Sequence, residues 1–160
     1  MCPGVQPWRQ TRHNRVCQLI EKELAQRGYQ VRREPRLSTP RGVFRPDLLA
    51  TKNDETWIID GQVTSDSNVR PLSELHALKR AKYDRQVVLD AVFNMTGARP
   101  KGVYPITINW RGFIFKDSVE TLKLLGIGSI ASLLSVRALE GGVSILANYN
   151  GMAGGGRLDL

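Results

Sequence analysis

Apolar positions change period along the chain, and each change marks an element. Val16, Ile20 and Leu24 fall at i, i+4 and i+8, with Leu19 and Cys17 alongside. That spacing predicts a helix capped by Thr11 or Asn14 and running to about Arg27, where Gly28 stops it. Arg12, Arg15 and Lys22 take its more exposed positions, and residues 1–11 form a loose lead-in. Tyr29 to Leu37 alternates like a strand, with Pro35 placing it at an edge or strand end. Ser38 to Gly42 (STPRG) reads as a turn. A polar loop, Ser65 to Pro71, precedes a helix over Leu72 to Tyr83 with its cap near Asn68 or Ser73, and Val87 to Met95 continues helical. Val103 to Trp110 alternates as a strand, turned by Arg111-Gly112, and two helices follow, Asp117 to Leu125 and Ser129 to Leu139, split at Gly126 to Gly128. Residues 141–160 become Gly-rich and read as a frayed tail. The order is helix, three strands, helix, strand, helices: an α/β fold with a mixed sheet flanked by helices.

The most informative stretch is Arg45 to Gln62, RPDLLATKNDETWIIDGQ. An apolar run (Leu48, Leu49, Ala50), a polar turn (Lys52 to Glu55) and a β-rich run (Trp57, Ile58, Ile59) spell a hairpin. With Asn53-Asp54 at the centre of an even-length turn, Leu49 faces Ile58, Leu48 faces Ile59 and Asp47 faces Asp60. Opposed residues point to the same side of a sheet with Cβ atoms roughly 4.5–5.5 Å apart, and like charges there repel unless something positive lies between them. A divalent cation with oxygen ligands meets that need. An odd-length turn would instead send Asp60 to the other face and leave two ordinary surface carboxylates.

Length and composition describe one ordinary globular domain: 160 residues, 41% hydrophobic and 24% charged. Charge adds more. The net +8 is concentrated at the start, where residues 1–45 carry ten Lys/Arg against three acids, or +7 of the total. A basic approach surface leading into paired carboxylates suits a phosphodiester substrate, with a binding protein that does not cut as the alternative. Two cysteines, Cys2 and Cys17, give no disulfide framework, and the apolar window Leu124 to Val136 is too short to span a bilayer. Residues 1–15 are polar and basic, unlike a signal peptide.

Phosphodiester hydrolysis needs an activated water, compensation of charge on the phosphate and help for the leaving oxygen, most of which Mg²⁺ or Mn²⁺ on carboxylates can supply. Asp47 and Asp60 are the candidate ligands, and Glu34 is either a third ligand or a local partner for neighbouring arginines. Gln62, two residues beyond Asp60, carries no charge, so the cation must come from the next helix. There Lys79 and Lys82, at i and i+3, leave one side, either over the carboxylates or into solvent. Arg12, Arg15, Arg32, Arg33 and Arg45 are candidate phosphate contacts. His13 stands at the helix start, placed to touch a phosphate or to pack, and Cys17 reads as a buried thiol.

A strand-borne Pro-Asp followed by a second acid resembles the PD-(D/E)xK nuclease superfamily. A longer series is similar to the restriction-like endonuclease domain of early-branching, site-specific non-LTR retrotransposons: Arg12-His13-Asn14, Gly28-Tyr29, Glu34-Pro35, Arg45-Pro46-Asp47-Leu48, Asp60-x-Gln62-Val63 and Lys79-x-x-Lys82-Tyr83. It covers about residues 12–112 and implies a restriction-endonuclease-like core with a central mixed four-stranded sheet, within a domain spanning 12–140. In that family the active-site lysine sits on the next helix, as Gln62, Lys79 and Lys82 require. The resemblance implies a nuclear enzyme that nicks target DNA to prime reverse transcription, acting as a monomer or weak dimer beside reverse transcriptase and zinc-knuckle parts of one polyprotein. Cys2-Pro3 resembles the end of such a knuckle; a rival zinc set, Cys2, His13 and Cys17, has irregular spacing. Junction-resolving or repair nucleases of the superfamily, and a silent nucleic-acid-binding module, are the alternatives.

Overall fold

The computed structural model describes residues 6–65 and 70–140. Cys2-Pro3, the Asn68 expected as a cap and the Gly-rich stretch 141–160 lie outside them. Helix α1 (Gln6–Gln26) runs from well upstream of the expected caps. Thr11 and Asn14 are helical residues rather than caps: Thr11 Oγ1 donates back to the Pro7 carbonyl (2.9 Å), and Asn14 Oδ1 accepts from Gln10 Nε2 (3.0 Å). Pro7 fits because the first turn of a helix has no use for its missing N–H.

The expected strand over 29–37 is two strands. β1 (Gln30–Arg33) ends where Glu34 adopts φ 44°, a left-handed conformation that turns the chain before Pro35. β2 (Leu37–Thr39) then pairs with β3 (Gly42–Phe44) in a small separate ladder around the predicted STPRG turn. β4 (Leu48–Lys52) and β5 (Glu55–Thr64) form the hairpin in the expected register, Leu48 opposite Ile59 and Leu49 opposite Ile58. Asn53 and Asp54 both have positive φ (52° and 61°), the backbone of a two-residue turn whose twist matches the strands it joins.

α2 (Leu72–Tyr83) begins after Pro71 with no side-chain cap, so Ser73 is not its cap, and α3 (Gln86–Thr96) is a separate helix beyond Asp84-Arg85. The pair carries the chain across one face of the sheet, so that β6 (Arg99–Asn109) enters parallel to β5. α4 (Lys116–Leu124), a 3₁₀ turn (Gly128–Ile130) and helical residues 131–140 follow. The sheet order is β1-β4-β5-β6: a mixed four-stranded sheet flanked by helices.

Both faces of the sheet are buried. Leu48, Ala50, Trp57, Ile59, Ile106 and Ile108 pack with Val16, Ile20 and Leu24 of α1 and with Leu122, Ile127 and Leu134. Leu49, Ile58 and Val103 face the other way, against Tyr83, Val88 and Val92. The Leu-Leu and Ile-Ile doublets are thus the strand signature of a sheet covered on both sides. Alternation then puts Asp60 on the Ile58 face, beneath α2.

The exposed turn fixes this register, and a one-residue slip would reverse every inward side chain. Asp54→Val should lower stability by about 1 kcal/mol through its left-handed backbone, and Asp54→Gly should raise it. Urea midpoints of the two variants check this.

Candidate active site

The two aspartates meet where β4 begins. The Asp47 amide donates to Asp60 Oδ1 (3.0 Å), and the Gly61 amide donates to Asp47 Oδ2 (2.7 Å), so each carboxylate is held by the other strand's backbone. Asp60 is 1% exposed. Lys79 Nζ, from the third turn of α2, lies 2.7 Å from Asp60 Oδ2. Lys79 is therefore the charge-assisted partner of that oxygen.

Asp47 finds its cation on the opposite layer. His13 Nε2 of α1 is 3.0 Å from Asp47 Oδ2 and 3.2 Å from the Gly61 carbonyl, with Cys17 Sγ 3.7 Å away. Two oxygen acceptors facing one ring nitrogen require that Nε2 carry a proton. Gly61 leaves room for Cys17: a Cβ there would sit 3.0 Å from Cys17 Sγ, with Asp47 Oδ2 and His13 Nε2 at ordinary contact distances of 3.6 and 3.7 Å. The cue in the sequence was an isolated glycine inside a strand, a mark of close backbone approach, together with His13 and Cys17 one turn apart.

The surroundings push the two acids in opposite directions. Burial raises Asp60, joined by the charge of Asp47, and Lys79 only partly offsets them. Burial would raise Asp47 too, but His13 and the Gly61 amide outweigh it and hold that carboxyl below its usual range. The hydrogen bond to Asp47, then the contact with Cys17, lifts His13 to about 11. Tyr83 closes the floor: its hydroxyl donates to the Arg45 carbonyl (3.2 Å), while burial and the charges of Asp60 and Asp47 hold it un-ionised.

The other candidate residues are placed differently. Lys82 is exposed, with Nζ 5.0 Å from the Tyr83 ring centroid, while Lys79 makes the ion pair with Asp60. Glu34 is exposed and offers Asp47 only its backbone, its amide donating to the Asp47 carbonyl (2.8 Å). Arg15, Arg32 and Arg45 are exposed, and Arg33 pairs with Glu21 at 3.3 Å. Arg12, expected on the exposed side of α1, is 5% exposed, because it continues the buried Val16-Ile20-Leu24 stripe one turn back.

Two donor sets are available to a metal. The paired carboxylate oxygens of Asp47 and Asp60 suit a hard divalent cation such as Mg²⁺ or Mn²⁺. Among the described residues, His13, Cys17 and Asp47 place one ligating atom each within 4.8 Å of one another, but burial raises the Cys17 thiol away from the thiolate a soft metal needs.

No protein-family model matches the chain. It is 28% identical over 149 residues to the Pol polyprotein from retrotransposable element R2DM of Drosophila melanogaster, covering 91% of this chain and 14% of that protein. It is 32% identical over 126 residues to an R2 Pol polyprotein of Popillia japonica, covering 78% of this chain and 18% of the relative. A third, from Bradysia coprophila, is 29% identical over 119 residues, 74% of this chain and 13% of that polyprotein. The homologues are therefore R2 retrotransposon Pol polyproteins, and the chain spans less than a fifth of their length.

Two outcomes check the geometry. The chain has two histidines, and they should titrate oppositely in metal-free protein. His13 should stay protonated, its ring ¹⁵N shifts unchanged from pH 5 to 9. His76, lowered by burial and hydrogen-bonded to Thr107 (2.9 Å), should stay neutral at pH 6.5. Because His13 is raised, its stabilising contribution is full below pH 6.5 and lost only as pH climbs through about 11. Separately, Gly61→Ala should lower the melting temperature by several degrees, and adding Cys17→Ala should recover part of it, measured by calorimetry.

Proposed function

We propose that the chain is the divalent-metal-dependent DNA endonuclease domain of a non-LTR retrotransposon polyprotein, built on a PD-(D/E)xK-type core, which nicks target DNA to prime reverse transcription. The observation that carries this reading is the convergence of Asp47, Asp60 and Lys79 at the end of a buried hairpin. Similarity to R2 Pol polyproteins over most of the chain supports the retrotransposon setting.

Asp47 and Asp60 would hold Mg²⁺ or Mn²⁺, which supplies an activated water and compensates charge on the phosphate. Lys79 keeps an ammonium at the carboxylates, where a phosphoryl oxygen would arrive, and its ion pair fixes the α2 side of the site. His13 orients Asp47 through Oδ2, and Tyr83 excludes water from below. Arg15, Arg32 and Arg45 are free to meet backbone phosphates, which makes binding salt-dependent. The substrate is target DNA in the nucleus, the partners are reverse transcriptase and zinc-knuckle segments of one polyprotein, and the domain acts as a monomer or weak dimer. Among the described residues no helix is long and apolar enough to cross a membrane.

The test is nicking of supercoiled plasmid across a Mg²⁺ and Mn²⁺ series. The unmodified chain should cut. Asp47→Ala and Asp60→Ala should each lose at least about a hundredfold in rate, the scale of removing one charge-stabilising group. Equal cutting by these variants overturns the assignment of the site. Tight DNA binding with no cutting at any metal concentration would make the chain a binding module instead.

A further inference from the structure

Beside the carboxylates lies a second polar site. A cleft of about 280 Å³ is lined by Arg9 and Arg12 of α1, Gln62, Val63, Thr64 and Ser65 at the end of β5, and Arg70 and Leu75. Arg12 is 5% exposed, and its Nε is buried with no hydrogen-bond partner. Among the described residues no carboxylate pairs with it; burial, then the charge of Arg9, lowers its pKa. Gln62 Oε1 and Thr64 Oγ1 are buried and unpartnered in the same wall. Arg70 lies 3.8 Å from Glu74.

A guanidinium taken out of water without a counter-charge is costly, and proteins keep one when something else supplies the charge. A hydrophobic side chain would fill the same α1 stripe more cheaply. The lining is rich in donors: the Arg12 fork, the Thr64 hydroxyl and, after a half-turn of its amide, the Gln62 N–H₂ group, with Arg9 and Arg70 at the mouth. A tetrahedral anion with several acceptor oxygens satisfies them together, and the arginine fork matches phosphate geometry.

We propose that this cleft is a phosphate-binding subsite, centred on Arg12, that holds a non-scissile backbone phosphate of the nucleic-acid strand lying in the active site. The inference rests on the endonuclease reading for its choice of strand, and on the unpaired Arg12 for the phosphate. At about 3.3 Å per residue, Gln62 and Thr64 lie roughly 7 and 13 Å along β5 from Asp60. The subsite therefore sets the strand's position a short distance from the bond to be cut, and Gln62 lines it instead of supplying a catalytic cation.

The experiment has two arms. Inorganic phosphate, titrated against the full chain in a thermal melt, should raise the midpoint of the unmodified protein and leave Arg12→Met unshifted. In phosphate-free buffer Arg12→Met should melt at or above the unmodified protein, since it removes a buried unpaired charge. In the second arm, short DNA oligonucleotides carry one neutral methylphosphonate at successive positions. One position should weaken binding about tenfold for the unmodified chain and have no effect for Arg12→Met, with Thr64→Val intermediate. Arg12→Met should also reduce the slope of log affinity against log salt by about one. A phosphate shift without any position effect reassigns the subsite to free phosphate and overturns the strand assignment. Arg12→Met melting well below the unmodified protein, with no phosphate shift in either, marks Arg12 as structural and overturns the proposal. None of these readouts needs cleavage, so an uncut plasmid with a phosphate shift rejects the endonuclease reading alone.

Discussion

Two carboxylates drawn into a nearly dry corner set the terms for everything around them. At about 5 Å and an effective dielectric near 20, their mutual repulsion is on the order of 3 kcal/mol, a large share of a small domain's stability. The fold answers with one cation from each layer: His13 from α1 for Asp47, and Lys79 from α2 for Asp60. The hairpin contributes backbone amides, with Asp47 N–H on Asp60 and Gly61 N–H on Asp47. Moving either helix would strand a buried charge, so helix packing and carboxylate chemistry depend on the same contacts.

Much of this was legible because the hairpin is locally determined. Asn53-Asp54 tolerates the left-handed backbone, and the flanking doublets admit one register that buries both faces. The pairing of Asp47 with Asp60 followed from those residues without knowledge of any helix. What stayed hidden depends on layer packing. Whether Lys79 or Lys82 turns inward is set by the rotation of α2 about its axis, fixed by the burial of His76 and Tyr83. The split at Glu34 reflects one left-handed residue, which Pro35 hinted at but did not specify. The His13-Asp47 pair joins residues 34 apart in sequence, next to a Cys17 Sγ that packs closely over Gly61.

Arg12 shows how a pattern can be present and misread. It stands four residues before Val16 and so continues the buried stripe of α1, yet its charge argues for the surface. In the structure the stripe prevails: packing of α1 on the sheet fixes the helix face, and Arg12 goes in with it. The basic excess of residues 1–45 is thus not one uniform surface. Arg33 pairs with Glu21 on α1, while Arg12 is buried beside another arginine. Only the remainder, Arg15, Arg32 and Arg45 among them, faces solvent as a steering field.

The opposite shifts of the two aspartates carry the chemical argument further. Asp47, hydrogen-bonded by an imidazolium and a backbone amide, is committed to the ionised form. Asp60, buried beside that negative charge, resists ionisation even with an ammonium 2.7 Å away. Paired acids pushed apart in this way usually have distinct tasks. Here the difference leaves Asp60 as the group with most to gain from additional positive charge. Asp60 lies between Lys79 and the strand that leads on to Gln62, Thr64 and the Arg12 cleft. A polyanion laid along that line would meet a cation on either side of the acids, and the acids themselves would be approached only by a species that brings positive charge with it.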